Sequence, residues 1–250
     1  MTLTLETSGQ VAHIRIDRAA KRNAFDQAMW LQMPVLLGQA EADPNVRLII
    51  LQSATPGMFC AGADIAELSA NASNAEWRAA NQSAINAAQH ALTRTVHPTI
   101  AVIDGDCIGG GCGLAMACDL RVATQRARFG ITPAKLGLVY PLHDTKLLVD
   151  LVGPAKAKEM LFTGALIDAA EAKRIGLITQ IAESADALIA VMLGASGHSQ
   201  REAKAVIRRI LDGQSDDDAD SFALFAKAFT GADFREGVAA FLAKRKANFQ

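Results

Sequence analysis

Three successive glycines, Gly109-Gly110-Gly111, stand between a short run of apolar and branched residues, Thr99–Ile103, and an apolar stretch that reads as a helix from about Gly110 to Ala117. A glycine run at that junction permits few structures. It lets the backbone pass close to another group, and it leaves the first amides of the helix without intrahelical partners. Those amides, with the helix dipole behind them, favour developing negative charge. A second small-residue segment, Phe59-Cys60-Ala61-Gly62-Ala63-Asp64-Ile65, also follows a buried strand, Arg47–Ser53, and leads into a helix start. Either segment alone also reads as a tight turn or a close helix–strand crossing. Together they can place two amides around one carbonyl oxygen, the arrangement of an oxyanion hole. Nucleotide sites fit less well. Leu114 falls where the last glycine of a G-x-G-x-x-G would stand, and neither G-x-x-x-x-G-K-[ST] nor G-x-S-x-G occurs.

The charge balance, 25 basic against 26 acidic residues, lacks the basic excess of a nucleic-acid binder. Cys60, Cys107, Cys112 and Cys118 form no C-x-x-C pair and sit among small apolar residues, so they read as buried free thiols of a reducing compartment. The five histidines make no metal-ligand pattern, and no metal is expected. The N-terminal residues show no basic stretch followed by an apolar core, and no apolar run approaches about 20 residues. A cytoplasmic protein with no membrane or nucleic-acid partner is expected.

The chain of 250 residues, half of them hydrophobic, divides by pattern into an α/β part and a helical part. Residues 2–7 and 10–17 read as a hairpin, and Asp26 caps a helix to about Ala42. Residues 54–64 read as a loop and 74–95 as a helix, with short strands at Leu120–Ala123, Ala127–Phe129 and Leu177–Ala182. Further helices are expected near 145–152, 154–162, 168–175, 184–195, 199–212, 216–229 and 233–246. The triplet Asp216–Asp218 suits a helix start. The expected division is a core of residues 1–190 and a helical region of residues 191–250.

Asp17-Arg18, Lys21-Arg22-Asn23-Ala24, the segment 59–65, Gly105, Gly109-Gly110-Gly111-Cys112 and Ala117-Cys118-Asp119 resemble the crotonase, or enoyl-CoA hydratase/isomerase, superfamily. Phe129-Gly130, Leu136-Gly137-Leu138, Gly164, Ala169–Ala172, Gly176-Leu177 and Glu236-Gly237 continue the likeness along nearly the whole chain. The resemblance implies an α/β fold, a crotonase-like spiral of ββα turns carrying the acyl-CoA site. It also implies a C-terminal helical region that mediates trimers, often paired into hexamers. It implies an acyl-CoA thioester as substrate, an enzyme of fatty acid metabolism, and no cofactor beyond the coenzyme A of the substrate. By the same likeness the Ala63 and Gly110 amides form the oxyanion hole. Lys21, Arg22 and Ala24, with Ala61, Gly62, Asp64 and Ile65, line the CoA arm, and Gly109, Gly113 and Pro133 border the acyl site. Lys244 reaches CoA phosphates or is a solvated helix residue.

Two departures bear on the chemistry. Family hydratases carry one glutamate directly after the G-G-G-C run and a second four residues past the phenylalanine of F-G-x-P-E; here Gly113 and Pro133 stand in those places. Neither transfers a proton. The stretch Thr132-Pro133-Ala134-Lys135-Leu136-Gly137-Leu138-Val139-Tyr140 is similar to methylmalonyl-CoA decarboxylase of the same superfamily, whose threonine and tyrosine at these positions face the reacting carboxylate. Decarboxylation of a malonyl-type CoA is therefore the favoured chemistry, with Thr132 and Tyr140 in the site. Hydratase or isomerase chemistry with Asp144 or His143 as a substitute base is the alternative, and a non-catalytic acyl-CoA-binding subunit is a third. The other reading of Asp144 is a helix cap before Thr145, and that of His143 a loop surface residue.

Overall fold

The computed structural model describes residues 2–249. The chain forms two compact units, residues 1–95 with 99–185, and residues 96–98 with 186–250. The long segment of the second unit begins at Asp186, a few residues before the expected division.

The first unit is built from repeated strand–strand–helix turns. After the hairpin β1 (Leu3–Ser8) and β2 (Val11–Ile16) comes α1 (Gln27–Ala42), whose first turn is capped by the Asp26 carboxyl accepting from the Met29 amide. Then follow β3 (Leu48–Ser53), β4 (Met58–Cys60), α2 (Ile65–Ala70) and α3 (Ala75–Arg94). The next turn is β5 (Thr99–Ile103), β6 (Asp106–Ile108) and α4 (Gly110–Ala117). The third is β7 (Leu120–Ala123), β8 (Arg128–Gly130) and α5 (Leu142–Thr163), which breaks at Gly153 before Pro154. Strand β9 (Ile167–Asp168), helix α6 (Ala169–Arg174) and strand β10 (Gln180–Ile181) complete the unit.

Each turn gives one strand to each of two sheets. The first sheet has the order β1-β2-β3-β5-β7-β10, and the second β4-β6-β8-β9. Pairing is parallel from β2 through β10 in the first sheet and from β4 through β8 in the second. That is the α/β spiral expected. Parallel strands covered on both faces are continuously apolar, and Leu48–Leu51 are all buried. The loop expected over 54–64 contains β4, and β6 was not foreseen, because three residues are too few to show alternation.

The second unit is helical: α7 (Asp186–Leu193), α8 (Gly197–Leu211), α9 (Ala219–Ala228) and α10 (Ala232–Leu242). The acidic triplet does start a helix. Asp218 caps α9 and forms a reciprocal capping box with Ser221.

Two expectations are corrected here. Asp144 does not cap a helix beginning at Thr145. Helix α5 begins at Leu142 behind Pro141, which places Asp144 inside the first turn, buried. His143 lies in that turn too, half-buried and stacked on His90 at 4.4 Å between ring centres, rather than in a surface loop. All four cysteines are buried and free.

Candidate active site

The segment 22–25 clamps the small-residue loop after β4. Asn23 is fully buried and adopts a left-handed φ of 56°. Its side chain accepts from the Arg18 amide and donates to Ser53 Oγ and the Phe59 carbonyl. The turn fixed in this way lets the Arg22 carbonyl accept from Ala61 N–H. Phe25 pairs with Ala63: the Phe25 amide donates to Gly62 O at 2.7 Å and the Asp64 amide to Phe25 O at 2.8 Å. Residues on either side of Ala63 are thus turned toward Phe25. The Ala63 N–H points the other way and donates to no protein acceptor among the described residues.

The glycine run meets this loop directly. Gly62 has φ +100°, and a Cβ there would lie 2.9 Å from Ile108 O and 3.1 Å from the Gly110 amide. Only glycine permits both that conformation and that approach. Gly110 opens α4, and its N–H also lacks a protein acceptor among the described residues, as the start of a helix requires. The two amides therefore stand unpaired on adjoining loops. The carbonyl of the Gly109–Gly110 peptide accepts from Gly113 N–H at 3.1 Å and from the Tyr140 hydroxyl at 3.0 Å. That carbonyl and the Gly110 N–H share one rigid peptide plane. Tyr140 thereby fixes the direction of the Gly110 donor. Burial and the neighbouring Asp144 push its phenol well above the usual value.

A cavity of about 450 Å³ opens beside these amides. Ala61, Gly62, Ala63, Ile65, Gly109, Gly110, Thr132, Pro133, Tyr140 and Asp144 all line it. The others named from the sequence do not. Asp64 caps α2 through the Ala66 and Glu67 amides and accepts from Arg18 at 2.8 Å. Burial opposes its charge, but Arg18 and the capping amides hold its carboxyl below the usual range. Lys21 is exposed, Ala24 is buried with its carbonyl on Arg18, and Arg22 pairs with Asp106 at 2.6 Å. Lys244 belongs to the second unit and is exposed. Gly113 lies behind the cavity wall.

Gly113 leaves room for two polar side chains. A Cβ at that position would stand 2.5 Å from Asp144 Oδ1 and 2.6 Å from Gln89 Nε2. A side chain at 113 would require the Asp144 carboxyl and the Gln89 amide to move aside. The nearest carboxyl to that position comes from α5. Asp144 is 2% exposed, and its Oδ1 has no hydrogen-bond partner. Burial raises its pKa to about 7, while the Gln89 amide beside it pulls weakly the other way without reaching good hydrogen-bond geometry to Oδ1. Gln89 and Asn81, both buried on α3 and lining the cavity, were not foreseen. The only signal is their spacing, with Ile85, at every fourth residue.

The sequence profile described as enoyl-CoA hydratase/isomerase matches residues 6–250. The chain belongs to the enoyl-CoA hydratase/isomerase family. The family's relatives include the crotonyl-CoA hydratase of Syntrophomonas wolfei, 34% identical over 99% of this chain and 97% of that protein. Another is the short-chain-enoyl-CoA hydratase of Clostridium acetobutylicum, 32% identical over 97% of this chain and 95% of that protein. Among solved structures, an enoyl-CoA hydratase/isomerase family protein from Hyphomonas neptunium superposes with a TM-score of 0.94 at 40% identity, covering 100% of this chain and 98% of that one. The spiral is thus the fold of this family, whose enzymes act on acyl-CoA.

Proposed function

We propose that this protein moves protons on an enoyl-CoA thioester through an enolate, with the Ala63 and Gly110 amides on the thioester oxygen and Asp144 as acid and base. The observation that carries the reading is the Asp144 carboxyl, buried on the wall of the cavity that Ala63 and Gly110 also line and occupying the space beside Gly113. The Asp144 carboxylate takes a proton from the acyl chain, and the electron pair moves onto the thioester oxygen. Two N–H donors aimed at that oxygen stabilise the enolate. The same carboxyl returns the proton at the other end of the three-carbon unit, so one group suffices for double-bond migration. In hydration it takes a proton from water as the water oxygen bonds to the β-carbon and the double-bond electrons move onto the thioester oxygen, and it then passes that proton to the α-carbon as the enolate collapses. A carboxyl with a pKa near the working pH serves both directions.

Decarboxylation of a malonyl-type CoA is the second reading, favoured by Thr132 and Tyr140 both lining the cavity. Two features weigh against it. The Tyr140 hydroxyl proton is directed to Gly109 O. Among the described residues the one cation on the cavity wall is Arg78, which is exposed and donates to the Ala72 carbonyl, so a second substrate carboxylate would meet Asp144 without a buried positive partner. The chemistry proposed requires only the coenzyme A carried by the substrate. The exposed Phe222, Phe225 and Phe241 of the second unit suit self-association into a trimer or hexamer. No helix among the described residues is long and apolar enough to cross a membrane.

The test is turnover of crotonyl-CoA, a 3-enoyl-CoA and methylmalonyl-CoA by the parent protein and by Tyr140→Phe. An enoyl thioester should be turned over faster than CO₂ is released. Tyr140→Phe should lower kcat about tenfold with little change in KM, since it frees the peptide that carries the Gly110 donor. Faster CO₂ release than enoyl turnover would establish the decarboxylase instead, and no turnover of any thioester would leave a binding subunit.

A further inference from the structure

Resting on that reading of the site, we propose that Gln89 is the positioning residue of Asp144: its side-chain amide donates to the ionised carboxyl, and so fixes the direction of the base and the pH at which it acts. Gln89 is fully buried on α3, and neither its Nε2 nor its Oε1 has a hydrogen-bond partner. Asp144 is buried in the first turn of α5, and its Oδ1 lacks a partner as well. Gly113 of α4 shows how near the two are. One point, where a Cβ at Gly113 would stand, lies 2.5 Å from Asp144 Oδ1 and 2.6 Å from Gln89 Nε2. A donor and an acceptor therefore border the same small space. Buried polar atoms are nearly always paired, and here each has the other as its neighbour. The terminal torsions of carboxamides and carboxyls are broad, so a modest rotation of either end brings Nε2 onto Oδ1.

The residue type suits a group that changes charge during turnover. An ionised carboxyl only accepts, and the glutamine Nε2 donates to it. A protonated carboxyl donates, and the glutamine Oε1 accepts from it. A carboxamide thus serves Asp144 before and after proton transfer and adds no charge of its own. An apolar side chain in its place would leave a buried carboxylate without a donor, and a cation would hold the acid ionised. Tyr140 does not take this part, because its hydroxyl donates to Gly109 O.

The groups around Asp144 that can change charge come from three elements. Tyr140, ahead of α5, interacts with Asp144 and with the buried Cys107 and Cys112 thiols, and burial and these neighbours hold its phenol well above the usual value. His143 adjoins Asp144 on α5 and stacks on His90 of α3. Lys146, one turn along α5, pairs with Asp150. All of these stay in place when Gln89 alone is replaced, so a change in the pH profile reports on Gln89.

The experiment measures enoyl-CoA turnover against pH for the parent and for Gln89→Met, which keeps a long side chain on α3 and removes the amide. The limb of kcat/KM near pH 7 should move upward by at least about one pH unit, the scale of losing one hydrogen bond to a charged group. The plateau kcat should fall about tenfold, since a base that is no longer held spends less time aimed at the acyl chain. KM should change little, because Gln89 acts through Asp144. Gly113→Ala is the second variant. Its methyl group parts Nε2 from Oδ1, and it should raise the limb in the parent background and leave it unmoved in Gln89→Met. The proposal is overturned if the limb in Gln89→Met stays in place or moves downward. If Gln89→Met does not fold, Gly113→Ala decides, and an unmoved limb overturns it. Failure of the underlying reading looks different: Asp144→Asn would then keep the parent's limb and rate.

Discussion

Asp144→Asn is expected to lower kcat for enoyl-CoA turnover by about 10²–10⁴-fold, the range for removing a positioned acid–base group. The substitution keeps the shape of the side chain beside Gly113 and Gln89, so KM should move far less. In the parent protein kcat/KM should rise with pH through about 7 and level off above it, as the carboxyl loses its proton and becomes the base. The variant should lack that limb. Stability should change in the opposite sense. Burial raises the native pKa of Asp144 from 3.8 to about 7, so the native state holds the proton more tightly than the unfolded chain does. The stability it contributes is complete below pH about 4 and is lost as the pH climbs through about 7. Asparagine has no charge to bury. Thermal melts should therefore give Asp144→Asn a higher Tm than the parent at pH 8, with the gap closing as the pH is lowered toward 4. A variant that is inactive and more stable above neutrality marks a group kept for chemistry rather than for folding.

Gly110→Pro is expected to lower kcat by about 10²–10³-fold, the usual cost of losing one oxyanion donor. Gly110 is the first residue of α4, a position where proline is well tolerated because the N–H has no helical partner. The substitution removes the hydrogen while leaving the helix hydrogen bonds in place. A Cβ at 110 would stand 3.3 Å from Trp30 Cζ2 and 3.4 Å from Trp30 Cη2, so some crowding accompanies any side chain there. Gly110→Ala carries the same crowding and keeps the N–H. The difference in kcat between the two variants therefore isolates the donor, and circular dichroism with CoA binding checks that both remain folded. Equal rates for the two variants would remove Gly110 from the oxyanion hole.

The residues that shape the backbone of the site were the legible part. Small residues after a buried strand and before a helix restrict the chain strongly, and both loops fall where the sequence places them. Single side chains were harder. Asp144 precedes Thr145 and a helical run, which is also the signature of a cap. What changes the reading is Pro141 just before α5, which lets the helix begin at Leu142 and turns Asp144 inward. Asn81 and Gln89 are polar residues on a long helix, ordinarily a solvated face; their burial depends on the cavity, which no local pattern shows. Tyr140 could be placed near the acyl group from its neighbours, but its hydroxyl partner is a backbone carbonyl 31 residues away. Gly113 and Pro133 were read correctly as unable to transfer protons. Asp144 could be named as a substitute base, but its place beside Gly113 could not be read, because it comes from a different helix.

The central claim is that Asp144 exchanges protons with an acyl-CoA enolate held by Ala63 and Gly110. Its most direct measurement is deuterium incorporation from D₂O into an acyl-CoA, followed by mass spectrometry or proton NMR. The parent protein should wash deuterium into the acyl chain next to the thioester carbonyl or at the migrating double bond, and Asp144→Asn should abolish that exchange while still binding CoA. Exchange at the parent's rate in Asp144→Asn would contradict the account, as would a parent protein that releases CO₂ from methylmalonyl-CoA yet exchanges no proton of any enoyl thioester.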